Sequence, residues 1–308
     1  MFQATDPIRA AHLQALEDEE IGVRYRILNF YLPLFLDFCK ARGKTAFDVR
    51  ILDCGCGNGA SVEYLANAGF ESIGIDIARL RFEQWQQRIA LPRVSLITAD
   101  ATALPFADCM FDIVLSSGML EHIGVAEECA PDYHVTALPD QRSLRREFLA
   151  ECLRVVRPGG VLYIDHPNGA FVVDFWHNNH LSRPRFHSPF QRFLPSFAEV
   201  VKLCEAVSQG CAIEAISPAG RFTFRRSQRR WYGKLFTGTM KRYLHMMQKK
   251  PFRWLAASPL NPYLVIRIEP RAPVANLASA SPFPADGTSP PLLPHAGAVA
   301  EDGSRTTP

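Results

Sequence analysis

The chain has 308 residues, 47% of them hydrophobic, and a formal net charge of +3, which is typical of a soluble globular protein with a large core. The longest apolar run, residues 30–36, contains Pro33 and is far shorter than the roughly 20 residues of a membrane-spanning helix. No basic stretch followed by an apolar core opens the chain, so we expect no signal peptide. The eight cysteines form no C-x-x-C pair and no zinc-spaced Cys/His cluster, which favours a reducing, cytoplasmic location.

The first predicted element is a helical segment over residues 8–42. Apolar residues recur through IGVRYRILNFYLPLFLDFC, and Gly43 provides a stop at its end. We therefore predict an N-terminal helical cap over residues 1–48, packed on the sheet of the domain that follows.

The stretch that organises the chain is VRILDCGCGNGA at residues 49–60. A buried strand ends at Asp53 and runs directly into a turn that contains three glycines: Gly55, Gly57 and Gly59. Glycine carries no Cβ and accepts positive φ, so the backbone can turn tightly here. The next residues, SVEYLANAG, predict a helix. A glycine turn between a strand and a helix N-terminus is a place where a nucleotide-like ligand can touch the backbone.

Strands and helices then alternate, which predicts an α/β fold with a parallel sheet and helices on both faces. The predicted strands are residues 49–53, 71–76, 94–98, 111–116, 161–165, about 211–217 and about 263–268. The predicted helices include residues 78–90, residues 141–156 with Asp140 as N-cap, and a helix that starts at the capping box of Ser196 and Glu199. Residues 271–308 hold seven prolines without apolar periodicity and predict a disordered tail, which leaves one domain over residues 49–270.

Three acidic residues close three successive predicted strands: Asp53, Asp76 and Asp100. The carboxyl ends of parallel strands share one edge of the sheet, and open α/β sheets bind ligands at that edge. Asp76, after the second strand, can accept hydrogen bonds from both ribose hydroxyls of an adenosine-containing ligand. A single aspartate of this kind is usually a cap or turn residue, but three in succession favour a cofactor site.

These features resemble the class I S-adenosyl-L-methionine (SAM) dependent methyltransferases, type 11-like, of the small-molecule or glycan branch. The turn matches D-x-G-x-G-x-G, FDIVLSSGMLEHI resembles strand four and its turn, and RVVRPGGVLYI resembles the segment leading into strand five. An NAD site is disfavoured, because the turn is G-x-G-x-G and an acid precedes its first glycine.

The resemblance implies a Rossmann-like seven-stranded sheet, mostly parallel with an antiparallel strand seven, and SAM as the cofactor. It gives the N-terminal cap a second possible role, which is to cover the cofactor. It places Asp100 at the adenine amino group and Ala101 beside the ring. The implied cofactor-binding residues are Asp53, Gly55, Cys56, Gly57, Asn58, Gly59, Asp76, Ile77, Asp100, Ala101 and Ser117.

Candidate bases follow predicted strands four and five, on loops that would cover a substrate. They are His122, His166, Asp174 and His177, with His180 and His187 in the same histidine-rich segment. The sulfonium of SAM is already activated, so alignment can supply much of the rate, and a base is needed only for an acceptor that must lose a proton. For each histidine an ordinary surface position stays open. No second ligand motif supports a metal, so the sequence predicts none.

An insertion over residues 124–139 separates predicted strand four from its helix. We expect it to form a substrate lid, since long loops at this edge of the sheet often carry function. Its polar contacts would be Asp132, Tyr133 and His134.

A basic insertion occupies about residues 221–258. Residues 221–268 contain 4 Lys and 8 Arg but no Asp or Glu, and aromatic residues are interleaved. One predicted helix face carries Tyr232, Phe236, Met240, Tyr243 and Met247, and another carries Lys234, Lys241, His245 and Gln248. Three interpretations stay open: a helix packed on its own protein, a helix at a membrane surface or lipid-linked substrate, and a nucleic-acid contact.

The sequence thus favours a methyltransferase that moves the methyl group of SAM to an oxygen, or a nitrogen, of a small-molecule or glycan-type acceptor. No Asn/Asp-Pro-Pro-Tyr follows strand four and no Pro-Cys dipeptide occurs there, which disfavours nucleic-acid base methylation. One alternative is an RNA methyltransferase that uses the basic insertion. Another is a catalytically inactive SAM-fold partner subunit at the membrane. We expect a cytoplasmic protein, with peripheral contact at the inner face of a membrane as the open alternative.

Overall fold

The computed structural model describes residues 7–77, 82–128, 134–177, 185–186, 192–208, 210–225 and 233–270. Seven of its strands form the central sheet: β1 (Arg50–Cys54), β2 (Glu71–Asp76), β3 (Val94–Thr98), β4 (Phe111–Ser117), β5 (Val156–Pro167), β6 (Ala212–Ile216) and β7 (Tyr263–Glu269). Their order is β6-β7-β5-β4-β1-β2-β3. β7 pairs antiparallel with both of its neighbours, and the other pairs are parallel. The predicted Rossmann-like sheet with an antiparallel seventh strand is confirmed.

The helices are α1 (Pro7–Arg26), α2 (Leu32–Ala41), α3 (Ala60–Asn67), α4 (Phe82–Trp85), α5 (Gln141–Val155), α6 (Phe197–Val207) and α7 (Gly233–Met246). Short 3₁₀ turns lie at Ala46–Asp48, Leu120–His122 and Lys250–Ala257. The predicted capping box of Ser196 and Glu199 begins α6 as expected. Asp140 is the N-cap of α5, as predicted, although its side chain makes no capping hydrogen bond.

The helical segment predicted over residues 8–42 is α1 and α2 joined by a π-helical turn, Ile27–Tyr31. Pro33 follows this turn, in the first two residues of α2. Proline has no N–H to donate and its ring collides with the carbonyl one turn earlier, so a regular α-helix cannot run through it. A π-turn is one way to absorb the misfit.

Both faces of the sheet are buried. Leu52 of β1 joins Phe148 of α5 in one buried cluster, whereas its neighbour Ile51 joins Tyr31 and Phe35 of the N-terminal helices in another. Successive side chains of a strand point to opposite faces, so these two clusters lie on opposite sides of the sheet. Burial on both faces explains why the strands read as continuous apolar runs.

The helix predicted over residues 78–90 ends about five residues earlier than expected. Residues 78–81 lie outside the described part of the chain, and α4 ends at Trp85, where a run of turns begins. The indole N–H of Trp85 donates to the carbonyl oxygen of Gly57 over 2.8 Å. A contact with the glycine turn, rather than the local periodicity, therefore fixes where the chain leaves this helix.

The predicted lid contains a two-stranded hairpin, in which Val125–Glu128 pairs antiparallel with His134–Ala137. Residues 129–133 lie outside the described chain, so Asp132 and Tyr133 are not placed. His134 is described and its side chain is exposed on the second strand.

The basic insertion is described over residues 221–225 and from 233 onward, so Tyr232 is not placed. Met247 of the expected apolar face is buried in one cluster with Ala219, Leu244 and Leu255, and Met240 and Tyr243 of the same face pack against it. This agrees with a helix packed on its own protein. No helix among the described residues is both long and apolar enough to cross a membrane.

Candidate active site

The glycine turn lies at the carboxyl end of β1, beside the end of β2. The backbone N–H of Gly57 donates to Asp76 Oδ2 over 2.9 Å, so the turn is tied directly to the predicted ribose-binding carboxylate. Gly55 has φ +78°, and a Cβ at this position would lie 2.7 Å from Met119 Sδ. Glycine is therefore required at residue 55 by backbone conformation and by the close approach of a side chain.

A cavity of about 410 Å³ opens beside this turn at the carboxyl edge of the sheet. Five of the predicted cofactor-binding residues line it: Gly55, Asp76, Ile77, Asp100 and Ala101. Asp100 Oδ1 accepts from the backbone N–H and the hydroxyl of Thr102, each over 2.8 Å, which holds its carboxylate in place. The residues that complete the wall include Thr102, Gly118, Met119, His122 and Leu144.

The other predicted cofactor-binding residues do not line the cavity. Asp53 is buried and accepts a hydrogen bond from the Ser61 hydroxyl, and burial raises the pKa of its carboxyl to about 6. Cys56 packs beneath α3, in a buried cluster with Trp85. The buried side chains of Asp53 and Cys56 therefore support the glycine turn and do not face the cavity.

The side chains of Asn58 and Ser117 also form hydrogen bonds within the protein. Gly59, at φ +80°, is the N-cap of α3. The Asn58 side chain donates to Glu20 Oε2 over 3.1 Å and accepts from the N–H of Ala60 over 3.0 Å. The Ser117 hydroxyl donates to Asp165 Oδ1 over 3.0 Å, away from the cavity lining. Direct cofactor contact by these residues stays a prediction.

The end of α1 lies against the glycine turn. Glu20 accepts hydrogen bonds from three surrounding groups: Asn58, the Tyr64 hydroxyl over 2.9 Å and Arg88 over 2.8 Å. Burial, together with the bond to Glu20, raises the pKa of Tyr64 to about 12. The N-terminal helices thus pack on the sheet, as the residues predict, and also reach the turn.

Three candidate catalytic residues come together beside this cavity. His122 lies in the 3₁₀ turn after β4, and its ring centroid is 5.2 Å from that of His177, which follows β5. His122 Nδ1 is 2.5 Å from Glu127 Oε1, and His177 Nδ1 is 2.9 Å from Asp174 Oδ2. Burial alone would raise the pKa of Asp174, but the hydrogen bond from His177 holds it below its ordinary value. Asp174 is buried and therefore orients His177 rather than meeting a substrate.

The structure does not support His166 as a base. Its side chain is fully buried at the end of β5, and its Nδ1 lies 2.8 Å from the Pro167 carbonyl oxygen. Burial lowers its pKa. Neither cavity at this edge is lined by it. His180 and His187 lie outside the described residues.

A second cavity, of about 570 Å³, reaches close to the glycine turn through Glu19. Its walls are mainly aromatic and apolar and include Phe175, Trp176, Phe222, Phe224, Phe236, Met240, Leu244 and Pro262. Glu19, which also lines it, comes within 3.7 Å of where a Cβ on Gly57 would be. Both cavities thus come close to the glycine turn. The sequence feature that indicates this aromatic cavity is the pair Phe175-Trp176. The nearby histidines drew the sequence interpretation toward catalysis instead.

A buried ion pair that the sequence did not reveal lies at the end of β5. Asp165 accepts from Arg221 Nη2 over 2.5 Å, from the Tyr263 hydroxyl over 2.6 Å, and from Tyr31 and Ser117. Burial acts to raise the pKa of Asp165, but Arg221 holds it below its ordinary value. The predicted basic insertion begins at Arg221, and the side chain of this residue is buried against Asp165.

Comparison with known proteins agrees with this geometry. A family model described as a methyltransferase domain matches residues 52–164. Phthiotriol/phenolphthiotriol dimycocerosates methyltransferase 1 of Mycobacterium ulcerans is 34% identical over 119 residues, which cover 38% of this chain and 37% of that protein. Demethylmenaquinone methyltransferase of Renibacterium salmoninarum is 33% identical over 121 residues, covering 38% and 42%. The matched stretch spans less than half the length of these two relatives.

Among solved structures, a TehB-like SAM-dependent methyltransferase from Corynebacterium glutamicum is similar with a TM-score of 0.43 and 16% identity, over 76% of this chain and 85% of that one. The residues present here fit SAM on grounds of their own. Gly55 lets the backbone come close, Asp76 and Asp100 line one cavity, and its volume of about 410 Å³ lies in the range of cofactor sites. Residues 52–164 are therefore a class I SAM-dependent methyltransferase domain, with SAM as its cofactor.

Proposed function

We propose that the protein transfers the methyl group of SAM to an oxygen, or a nitrogen, of a small molecule with an apolar or aromatic body. The observation that carries this proposal is the pair of adjacent cavities. One is lined by the glycine turn and the carboxylates, and the other by aromatic side chains. An aromatic wall favours an acceptor that buries apolar surface.

The histidine pair lies where the acceptor would meet the cofactor. His122 lines the cofactor cavity, and His177 directly follows Trp176, which lines the aromatic cavity. Bound SAM supplies an activated methyl group, so the protein's main task is to hold the acceptor atom in line with it. A hydroxyl acceptor must also lose its proton, and an imidazole of this pair can accept it.

The names of two relatives are consistent with an apolar acceptor. One relative is named for phthiotriol dimycocerosates and the other for demethylmenaquinone. A glycan acceptor would instead need polar partners, and the described wall of the aromatic cavity offers few besides Asp18, Glu19, Thr223 and Arg225. We therefore favour the apolar class over the glycan class.

Peripheral membrane contact through the basic insertion remains a proposal. Leu235 and Trp254 are exposed there, at 79% and 62%, among Lys and Arg side chains. Basic surfaces with exposed aromatic and apolar groups can lie in a membrane interface. Such a contact would let an apolar acceptor enter from the lipid, whereas an RNA acceptor has only the basic charge in its favour.

Methyl transfer from radiolabelled SAM tests the proposal. The acceptor panel comprises long-chain alkyl phenols and diols in anionic vesicles, polar glycosides of similar size, and total RNA. We expect label in the alkyl phenols or diols. We expect Met240→Trp, which fills the aromatic cavity, to raise the acceptor KM at least about tenfold by overpacking, with S-adenosylhomocysteine binding unchanged.

Thr239→Trp is the matched control, because Thr239 precedes Met240 on the same helix but is exposed. It should leave the acceptor KM unchanged. Label in glycosides or RNA alone would contradict the proposed acceptor class, and equal effects of the two tryptophans would contradict the assignment of the cavity.

A further inference from the structure

We propose that Glu121, His122 and His177 bind one divalent transition-metal ion of the Zn²⁺ type between the two cavities. One potential ligand atom from each of these three side chains lies within 4.8 Å of the other two. The inference goes beyond the proposed methyl transfer, since it concerns metal binding and holds whatever the acceptor is.

The donor set matches such an ion. Two imidazoles and one carboxylate are a common ligand set of catalytic zinc sites, with bonds of about 2.0–2.2 Å. Two ligands of a tetrahedral ion at these lengths lie about 3.4 Å apart, so side-chain rotations that close the separations by at most about 1.4 Å complete the site. Imidazole nitrogens favour Zn²⁺, Co²⁺ or Ni²⁺ over Mg²⁺ and Ca²⁺, which prefer oxygen ligands.

Each histidine already has the partner that metal-binding histidines usually have. His122 keeps Nδ1 at Glu127 Oε1, and His177 keeps Nδ1 at Asp174 Oδ2. Metal ligands of this kind commonly use their second ring nitrogen for a carboxylate, which fixes the ring and raises its basicity. Nε2 of each ring is then the atom that would meet the ion. Asp174 is itself fixed by the backbone N–H groups of Trp176 and His177.

Glu121 supplies the independent observation. Its residue is only 1% exposed, and within the described chain its Oε2 has no hydrogen-bond partner. A buried carboxylate oxygen without a hydrogen bond is costly, because the electrostatic attraction of Arg145 does not replace the hydrogen bonds lost to water. A cation held between Glu121 and the two histidines would satisfy it.

The position of the cluster gives the ion a role. His122 lines the cofactor cavity, and the chain neighbour of His177, Trp176, lines the aromatic cavity. Three protein ligands leave a coordination position for water or an acceptor oxygen. In that arrangement the histidines are ligands and not bases.

Zinc titration of the full chain, after dialysis against a chelator, is the first arm of the test. We expect about one Zn²⁺ per chain and at least about a 100-fold weaker Kd for Glu121→Gln and for His177→Gln. Asp174→Asn should weaken binding about 10- to 100-fold, the usual effect of losing such a partner. His245→Gln is the matched control, since His245 is exposed on α7 and away from the cluster, and it should bind as the native chain does.

Cobalt absorption spectra of the native chain form the second arm, and they need no variant to fold. Bands of imidazole and carboxylate coordination support the site. A thiolate charge-transfer band would place the metal at cysteines and overturn it, as would less than about 0.1 Zn²⁺ per chain, or an unchanged Kd in Glu121→Gln and His177→Gln. Circular dichroism and thermal midpoints confirm that each variant is folded, so that a loss of binding is not a loss of structure.

Discussion

Replacing Arg221 with methionine is expected to lower the free energy of unfolding by about 3–5 kcal/mol. The substitution keeps most of the side-chain volume but leaves the carboxylate of Asp165 buried without its cation. Breaking one side of a buried ion pair costs more than the pair contributes, since the remaining charge can no longer be solvated. The hydroxyls of Tyr31 and Tyr263 still donate to Asp165, which places the expected loss toward the lower end of this range.

Urea unfolding at neutral pH measures this loss. The matched control is Arg253→Met, an exposed arginine of the same basic insertion, for which we expect a change within about 0.5 kcal/mol. The pKa of Asp165 is lowered in the folded state, so its contribution is present above the ordinary carboxyl pKa and is lost as pH falls. The gap between native and Arg221→Met chains should therefore shrink in acid. A loss below about 1 kcal/mol at neutral pH would show that the pair is not buried as described.

Replacing Asp53 with asparagine is expected to stabilise the protein by about 1–3 kcal/mol at about pH 7.5. Burial raises the pKa of this carboxyl from 3.8 to about 6, which corresponds to a cost of about 3 kcal/mol for holding it ionised in the folded state. Asparagine carries no charge and keeps an oxygen that can accept from the Ser61 hydroxyl. The expected gain in stability therefore comes from removing a charge that the folded protein holds away from water.

The pH dependence has a definite sign. Below the ordinary value of 3.8 the carboxyl is protonated in both states, and above about 6 it is ionised in both. Between these limits the unfolded chain loses its proton first, so the stability of the native protein falls as pH rises. We therefore expect the advantage of Asp53→Asn to shrink strongly at about pH 4.

Thermal unfolding at the two pH values measures this difference, with Asp48→Asn as a control of opposite sign. Hydrogen bonds from Thr45 lower the pKa of Asp48, so that substitution should weaken the protein at neutral pH and matter less in acid. An Asp53→Asn chain that is folded but less stable than the native protein at about pH 7.5 would contradict the inference that the buried, ionised Asp53 destabilises the fold.

Most of the fold could be predicted, because each core strand has a recognisable pattern in the local sequence. Runs such as ILDC and FDIVLSS are continuously apolar since both faces of the sheet are covered, and their spacing leaves room for one helix each. The acids Asp76 and Asp100 could be placed in one cavity because parallel strands end at one edge.

What could not be predicted depends on contacts between distant segments. Arg221 and Asp165 are 56 residues apart, and nothing in RFTFRR distinguishes the buried Arg221 from the exposed Arg225. Helix α4 ends where Trp85 reaches the turn at Gly57, a tertiary contact that outweighs the apolar pattern of residues 78–90. Glu121 could not be predicted as a metal ligand, because a glutamate beside a histidine normally lies at the surface and only the fold shows its burial.

The measurement that tests the central claim most directly is calorimetric titration of the full chain with S-adenosylhomocysteine, with NADH as the control ligand. We expect binding in the micromolar range to the first and none to the second. Asp76→Ala should weaken that binding by about 1–3 kcal/mol, the size of a lost charge-assisted hydrogen bond. Binding of neither ligand, or equal binding by the native and Asp76→Ala chains, would mean that the cavity beside the glycine turn does not hold SAM.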